Sequence, residues 1–271
     1  MKRVFSVLCE GPHDVMFLYR ILMSIGFTSY NSTKINSFPK PINDFLLKQA
    51  KKSNLEDINI KEVRNIIFPI TSMIKNNNIF LLYSLCGDGK KDLRLSLLKD
   101  FYDFVPKENE IEVLQNDTDL GVIYFLDSDN IGLEKRIEEI NSEVNTILNS
   151  KPFSLENKIV EIEKLILGLY IFTGEDNDKG KLENILLPLM KKDNESIFES
   201  SKKFLEENHE VERCKSKFDD LKSIIGTAGQ LQISGTSNTV CIEKSDYLTN
   251  EKILDNEKCK EIIAFFEKLI N

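Results

Sequence analysis

The chain contains no long apolar run. Nothing in its 271 residues approaches the ~20 consecutive apolar positions of a membrane helix, so no membrane partner is expected. Histidine is scarce, with only His13 and His209, and the five cysteines (Cys9, Cys86, Cys214, Cys241 and Cys259) are scattered without a CxxC. That inventory supplies neither a zinc site nor an even disulfide framework. His13 has no Ser or Cys signature beside it and His209 sits in a charged stretch; both are expected at the surface, and a histidine-based triad is poorly provided for. There is no GxxxxGK[ST] phosphate-binding loop, no internal repeat and no low-complexity tail. The basic start, Met1-Lys2-Arg3, leads into a short apolar run and then Glu10, which does not match a signal peptide, so the cytoplasm is the default compartment. Positive charge is also short: 36 Lys and Arg face 44 Asp and Glu, a net charge of −8. Lysines and arginines drive nonspecific nucleic-acid binding by releasing counterions from phosphates. An acidic chain is therefore a poor stand-alone nucleic-acid binder unless its acids are concentrated at a metal site.

What is present is enough apolar residue, 41%, to build a core. VFSVLC (4–9) reads as a buried strand, broken by Gly11 and Pro12 and followed by helical periodicity from His13 to a closing Gly26. Residues 28–40, with Pro39 followed by Pro41, read as loop. Helical stretches are expected over 43–50 and around 63–74, as an insertion near 40–78. IFLLYSLC (79–86) is a second strand, followed by the turn Gly87-Asp88-Gly89-Lys90-Lys91 and an amphipathic helix. GVIYFL (121–126) is a third strand, ending in Asp127-Ser128-Asp129, with a charged helix over 132–148. ILGLYIFTG (166–174) is a fourth strand candidate, and 174–180 an acidic loop bounded by glycines. Beyond lie helices over 182–192, 196–208 and 211–225, a glycine-rich separator over 226–242, and a last helix near 257–269. Apolar strands alternating with helices predict an α/β fold with a mostly parallel sheet, a core over 1–180, and a mainly helical portion over 181–271 that completes the site.

In such a sheet right-handed crossovers put every strand's C-terminal end on one edge, where ligands bind. Glu10 follows the first strand; Asp127 and Asp129 end the third. Adjacent strands lie ~4.8 Å apart, so these carboxylates would crowd together and repel unless a cation neutralised them. Mg²⁺ takes hard oxygen ligands of this kind. Asp14, one turn beyond Glu10, reaches the same space, although an acid in a first helical turn also suits the helix dipole. Gly11 leaves room for a close approach by backbone or phosphate. Lys90 and Lys91 could meet phosphate through their glycine turn or simply face solvent.

The segments VLCEGPHD and VIYFLDSDN together resemble the Toprim domain, the Rossmann-like catalytic module of topoisomerases, DnaG-type primases and OLD-family nucleases. LCGDGKKDLRLSLL, FTGEDNDKGKLENILLPLM and KSKFDDLKSIIGTAGQLQISGTSN resemble later segments of stand-alone bacterial Toprim-like proteins of the OLD, DUF3226 and DUF4435 kind, so that the resemblance spans most of the chain. It implies that Glu10, Asp127 and Asp129 bind Mg²⁺ or Mn²⁺. It also implies that Asp14 is the second acid of that motif and that Glu183 completes a second metal position. A lysine, Lys217 or Lys222, would steady transition-state charge; the plain alternatives are a first-turn helix acid for Glu183 and a solvated helix face for the lysines. The activity implied is a metal-dependent endonuclease on DNA or RNA, working in anti-phage defence beside a separate ABC- or AAA-type ATPase subunit, with oligomerisation left open. Two other readings stand beside it. One is a non-catalytic metal- or nucleic-acid-binding regulatory module. The other is a phosphotransferase of the HAD type, disfavoured because its DxD ends the first strand, where this chain has Glu10.

Overall fold

The computed structural model describes residues 2–51, 68–85, 87, 89–105, 118–210 and 219–271. In chain order they form β1 (Lys2–Cys9), α1 (Pro12–Ser24), β2 (Thr28–Ser29), α2 (Ile42–Lys51), β3 (Thr71–Lys75), β4 (Asn78–Ser84), α3 (Lys91–Tyr102), β5 (Thr118–Asp127), α4 (Leu133–Leu148), β6 (Ile159–Ile162) and β7 (Leu165–Phe172). Six helices follow: α5 (Leu182–Lys191), α6 (Glu195–Asn208), α7 (Asp220–Gln232), α8 (Asn238–Lys244), α9 (Asn250–Asp255) and α10 (Glu257–Ile270). The strands make one sheet in the order β2-β3-β4-β1-β5-β7-β6. Its centre, β4-β1-β5-β7, is parallel, and β3 and β6 run antiparallel to their neighbours at the two flanks.

The parallel strands are apolar on both faces because helices cover both. Alternation divides their side chains. Phe5, Val7 and Cys9, with Phe80, Leu82, Ile123, Phe125, Tyr170 and Phe172, face a core shared with α1 and the helices from α5 to α10. Val4, Leu8, Leu81, Tyr83, Val122, Tyr124, Leu126, Leu167 and Leu169 face the other core, covered by α2, α3 and α4. The C-terminal helices are thus part of the covering of the sheet. On their side the core holds an aromatic cluster: Phe125 stacks on Tyr170 at 5.3 Å and on Phe266 of α10 at 5.4 Å, and Phe5 stacks on Phe80 at 5.1 Å. On the opposite side the buried Arg94 guanidinium grips Glu143 with two hydrogen bonds of 2.9 and 2.7 Å, tying α3 to α4. At the N-terminal end of the strands, Arg3 reaches the carbonyls of Leu269 and Asn271, clasping the end of α10 to the start of β1.

Several expectations change. Residues 71–74, read as the end of a helix, belong to β3, a strand whose partner β4 begins after a two-residue turn; residues 52–67 of that stretch lie outside the described residues. The flanking strands β2, β3 and β6 are short and partly polar, so they lack the apolar signature of buried strands. The glycine-rich stretch 226–242 is not a separator, since α7 runs through Gly226 and Gly229 to Gln232 and α8 starts at Asn238. Those glycines serve contact between helices: a Cβ on Gly229 would lie 2.8 Å from Cys241 Sγ, and one on Gly226 2.7 Å from Asn238 Oδ1. The helix expected over 211–225 falls partly outside the described residues, where Lys217 and Cys214 also lie; within them it begins at Asp220. Cys9, Cys241 and Cys259 are free, buried thiols. Among the described residues no helix is long and apolar enough to cross a membrane.

Gly121 pairs in register with Phe5, and a Cβ there would stand 2.5 Å from Phe5 Cδ1 and 2.9 Å from the Ile166 carbonyl. Overpacking of this kind costs about 1–3 kcal/mol. Gly121→Ala is expected to lower the urea midpoint accordingly. Gly89→Ala, whose Cβ meets nothing within 4 Å, leaves the midpoint near wild type. Equal midpoints for the two variants would contradict this packing.

Candidate functional site

The register of β1 on β5 pairs Cys9 with Phe125, which brings Glu10 and Asp127 to the same sheet edge. The Asp127 amide donates to Glu10 Oε1 at 2.9 Å. Gly11 is the N-cap of α1 in an extended conformation, Pro12 opens the helix with its ring-fixed φ, and Asp14 turns back to accept from the Gly11 amide at 2.7 Å. Asp127 Oδ1 in turn accepts from the Leu182 amide at the start of α5, at 2.8 Å. The first turn of α7 supplies Lys222. Three helix N-termini, those of α1, α5 and α7, therefore open on one place and turn the positive ends of their dipoles toward it.

Between them lies a cavity of about 230 Å³ lined by Glu10, Gly11, Pro12, His13, Asp14, Gly87, Asp127, Glu183 and Lys222. Among the described residues, four carboxylates share this space with one lysine and one histidine. Burial, the largest influence, pushes Asp14 up from the ordinary 3.8 to about 7; the charges of Glu10 and Glu183 push the same way, against the Gly11 amide and Lys222. Burial, followed by Asp14 and Glu10, likewise lifts Asp127 well above the usual carboxylate range. Glu183 behaves oppositely. Burial alone would raise it, but hydrogen bonding to His13 and the charge of Lys222 outweigh burial and hold it below its ordinary value. Its Oε1 lies 3.2 Å from His13 Nδ1 and 3.6 Å from Lys222 Nζ. Lys222 also neighbours Asp219, the N-cap of α7, at 3.7 Å, and Lys181 is bonded to the same Asp219 carboxylate.

Glu10, Asp14, Asp127 and Glu183 thus come together. Asp129 does not line the cavity. It sits at φ +47°, held by backbone bonds in both directions to Gly180, and its carboxylate meets Arg136 at 3.1 Å. Arg136 also donates to the Asp127 carbonyl at 2.8 Å, so it braces the strand end that carries both acids. Of the two lysines considered, Lys222 faces the cavity and Lys217 lies outside the described residues. Lys90 and Lys91 are exposed, and of their turn Gly87 reaches the cavity. His13 is not a surface residue: it is about four-fifths buried against Glu183. Its place within EGPHD, beside Asp14 in the first turn of α1, was the available signal. Its partner Glu183 is 170 positions away, and only the fold joins them.

The donor set suits a hard divalent cation. Asp14 and Asp127 each spend one oxygen on a backbone amide, and among the described residues no donor reaches Asp14 Oδ1 or Asp127 Oδ2. Gly11 provides space: its φ of −139° is open to any residue, and an added Cβ would project beside Asp14 Oδ2 at 3.8 Å. The ligand cage is not pre-closed, however; among the described residues no three His, Cys, Asp or Glu groups already converge as a metal-holding set.

Without metal this crowding bears on stability. An acid raised from 3.8 to about 7 binds its proton more tightly in the folded state. Its contribution is complete below pH ~4 and is lost as pH climbs through ~7. In EDTA the protein is expected to lose stability between pH 4 and 7. Asp14→Asn, which keeps an oxygen for the Gly11 amide, should flatten that loss by roughly 1–4 kcal/mol. Urea titrations across this range check it, and parallel pH curves for the two proteins would refute it.

A family model described as "Protein of unknown function (DUF3226)" matches residues 5–271. Among solved structures, the crystal structure of hypothetical protein PH0156 from Pyrococcus horikoshii OT3 is similar in fold. Its TM-score is 0.58 at 17% identity, over 99% of this chain and 100% of that one. No curated protein matches the chain.

Proposed function

The chain belongs to the DUF3226 family of proteins of unknown function, and we propose that it is a Mg²⁺- or Mn²⁺-dependent endonuclease that hydrolyses phosphodiester bonds in DNA or RNA. The observation that carries this reading is the gathering of Glu10, Asp14 and Asp127, from two distant parts of the sequence, around one cavity with Lys222 on its rim. The Toprim-like pattern of EGPHD and DSDN supports it. Glu10, Asp14 and Asp127 would hold the ion. When bound, it would supply Lewis-acid stabilisation of a phosphoryl oxygen and a water acidic enough to attack at neutral pH.

The remaining work falls to the chain itself. The backbone amides of Asp127, Gly11 and Leu182 fix the carboxylates of Glu10, Asp14 and Asp127 before substrate arrives. Lys222 is about half exposed, and the neighbouring acids keep it protonated against the opposing effect of burial; it would meet a non-bridging phosphate oxygen. The N-termini of α1, α5 and α7 bring their positive dipole ends to the same point, where their amides already hold the carboxylates of Asp14, Asp127 and Asp219. The bound ion, rather than an array of lysines, would hold the scissile phosphate, which answers the objection raised by the net charge of −8. The resemblance to OLD-type proteins further supports a role in defence against phage beside a separate ABC- or AAA-type ATPase. Co-purification from the native host would test that partnership.

One observation favours a second reading, a non-catalytic metal- or nucleic-acid-binding regulatory module: among the described residues the carboxylates are not already closed into a cage. Binding of the ion without cleavage of any substrate would select it.

The purified full chain, incubated with labelled single- and double-stranded DNA and RNA, is expected to cleave with Mg²⁺ or Mn²⁺ and not with EDTA. Glu10→Gln and Asp127→Asn should each lower the rate roughly 100-fold or more with unchanged circular dichroism. Metal-dependent cleavage retained by the double variant would overturn the assignment.

A further inference from the structure

The acids of the cavity fall into two kinds by the partners they keep. Asp14 and Asp127 are held by backbone amides, which are neutral donors, and their remaining oxygens meet no donor among the described residues. Glu10 also takes a backbone amide, that of Asp127. Glu183 differs: it is 2% exposed, and the same oxygen that meets His13 at 3.2 Å lies 3.6 Å from the Lys222 ammonium. Lys222 is itself steadied by Asp219, the N-cap of its own helix. A dication brought to Glu183 would have to displace that ammonium or stand against it.

On the footing of the metal reading given above, we propose that the site takes a single divalent cation, held among Glu10, Asp14 and Asp127. Glu183 stands outside its ligand set, its Oε1 engaged by His13 and Lys222. Lys222 then occupies the place where a second ion would balance phosphate charge. His13 and Glu183 are positioning residues: Glu183 fixes the ammonium, and His13 fixes Glu183 from the first turn of α1. The arrangement differs from a two-metal site, in which paired ions share the attacking and leaving oxygens. Here one of those charges is built into the chain, on a helix about 210 positions from Glu10 in sequence.

The test is a count of Mn²⁺ bound by the full wild-type chain, by equilibrium dialysis and by electron paramagnetic resonance of free Mn²⁺, carried well past the first dissociation constant. One ion per chain is expected. Glu183→Gln should keep that single ion with affinity within about threefold, whereas Asp127→Asn should weaken it at least about tenfold. Two ions on the wild-type chain would overturn the proposal while leaving a metal site in place. So would a tenfold loss of affinity in a Glu183→Gln variant whose circular dichroism matches wild type. No ion on the wild-type chain would overturn the metal reading itself, and this inference with it. The wild-type count decides even if a variant fails to fold.

Discussion

The site depends on a crowding of like charges that the backbone enforces. Parallel pairing of β1 with β5 leaves Glu10 and Asp127 no choice but to share an edge, and the Asp127 amide locks the contact through Glu10 Oε1. Carboxylates in this position resist ionisation: burial first, and then the charge of their neighbours, displaces Asp14 and Asp127 upward. Beneath them an aromatic layer, with Phe125 stacked between Tyr170 and Phe266, packs the sheet against α10. Electrostatic strain at the edge and dispersion in the core are thus two sides of one arrangement.

The edge is completed from far along the chain. Glu183 arrives on α5 and Lys222 on α7, and both helices are anchored in the same core as β1. The helical C-terminal portion is therefore inseparable from the site. It supplies the one lysine among the described residues that lines the cavity, the amide that orients Asp127, and two of the three helix starts that face inward.

Much of this could be read in the amino-acid order. Short, largely apolar runs such as VFSVLC and GVIYFL have few alternatives to being buried strands, and the acids that end them then follow from topology. What escaped reading escaped for identifiable reasons. The strand β3 is short and half-polar, and its pairing depends on β4. The glycines of α7 suggested a loop because their use, close contact with Cys241 and Asn238, is visible only in three dimensions. His13 looked like a surface residue because its partner Glu183 is remote in sequence. Asp129 looked equivalent to Asp127 across a two-residue spacing, yet the left-handed turn at Asp129 directs its carboxylate to Arg136.

The Arg3 clasp on the last turn of α10 has a geometric corollary. It gathers the beginning of β1 and the end of α10 at the foot of the strands, whereas the cavity lies at their head, on the order of 25 Å away along β1. A fluorophore or an immobilising anchor attached at either extremity would hang below the sheet, leaving the mouth of the cavity open to a long polymer passing over the top.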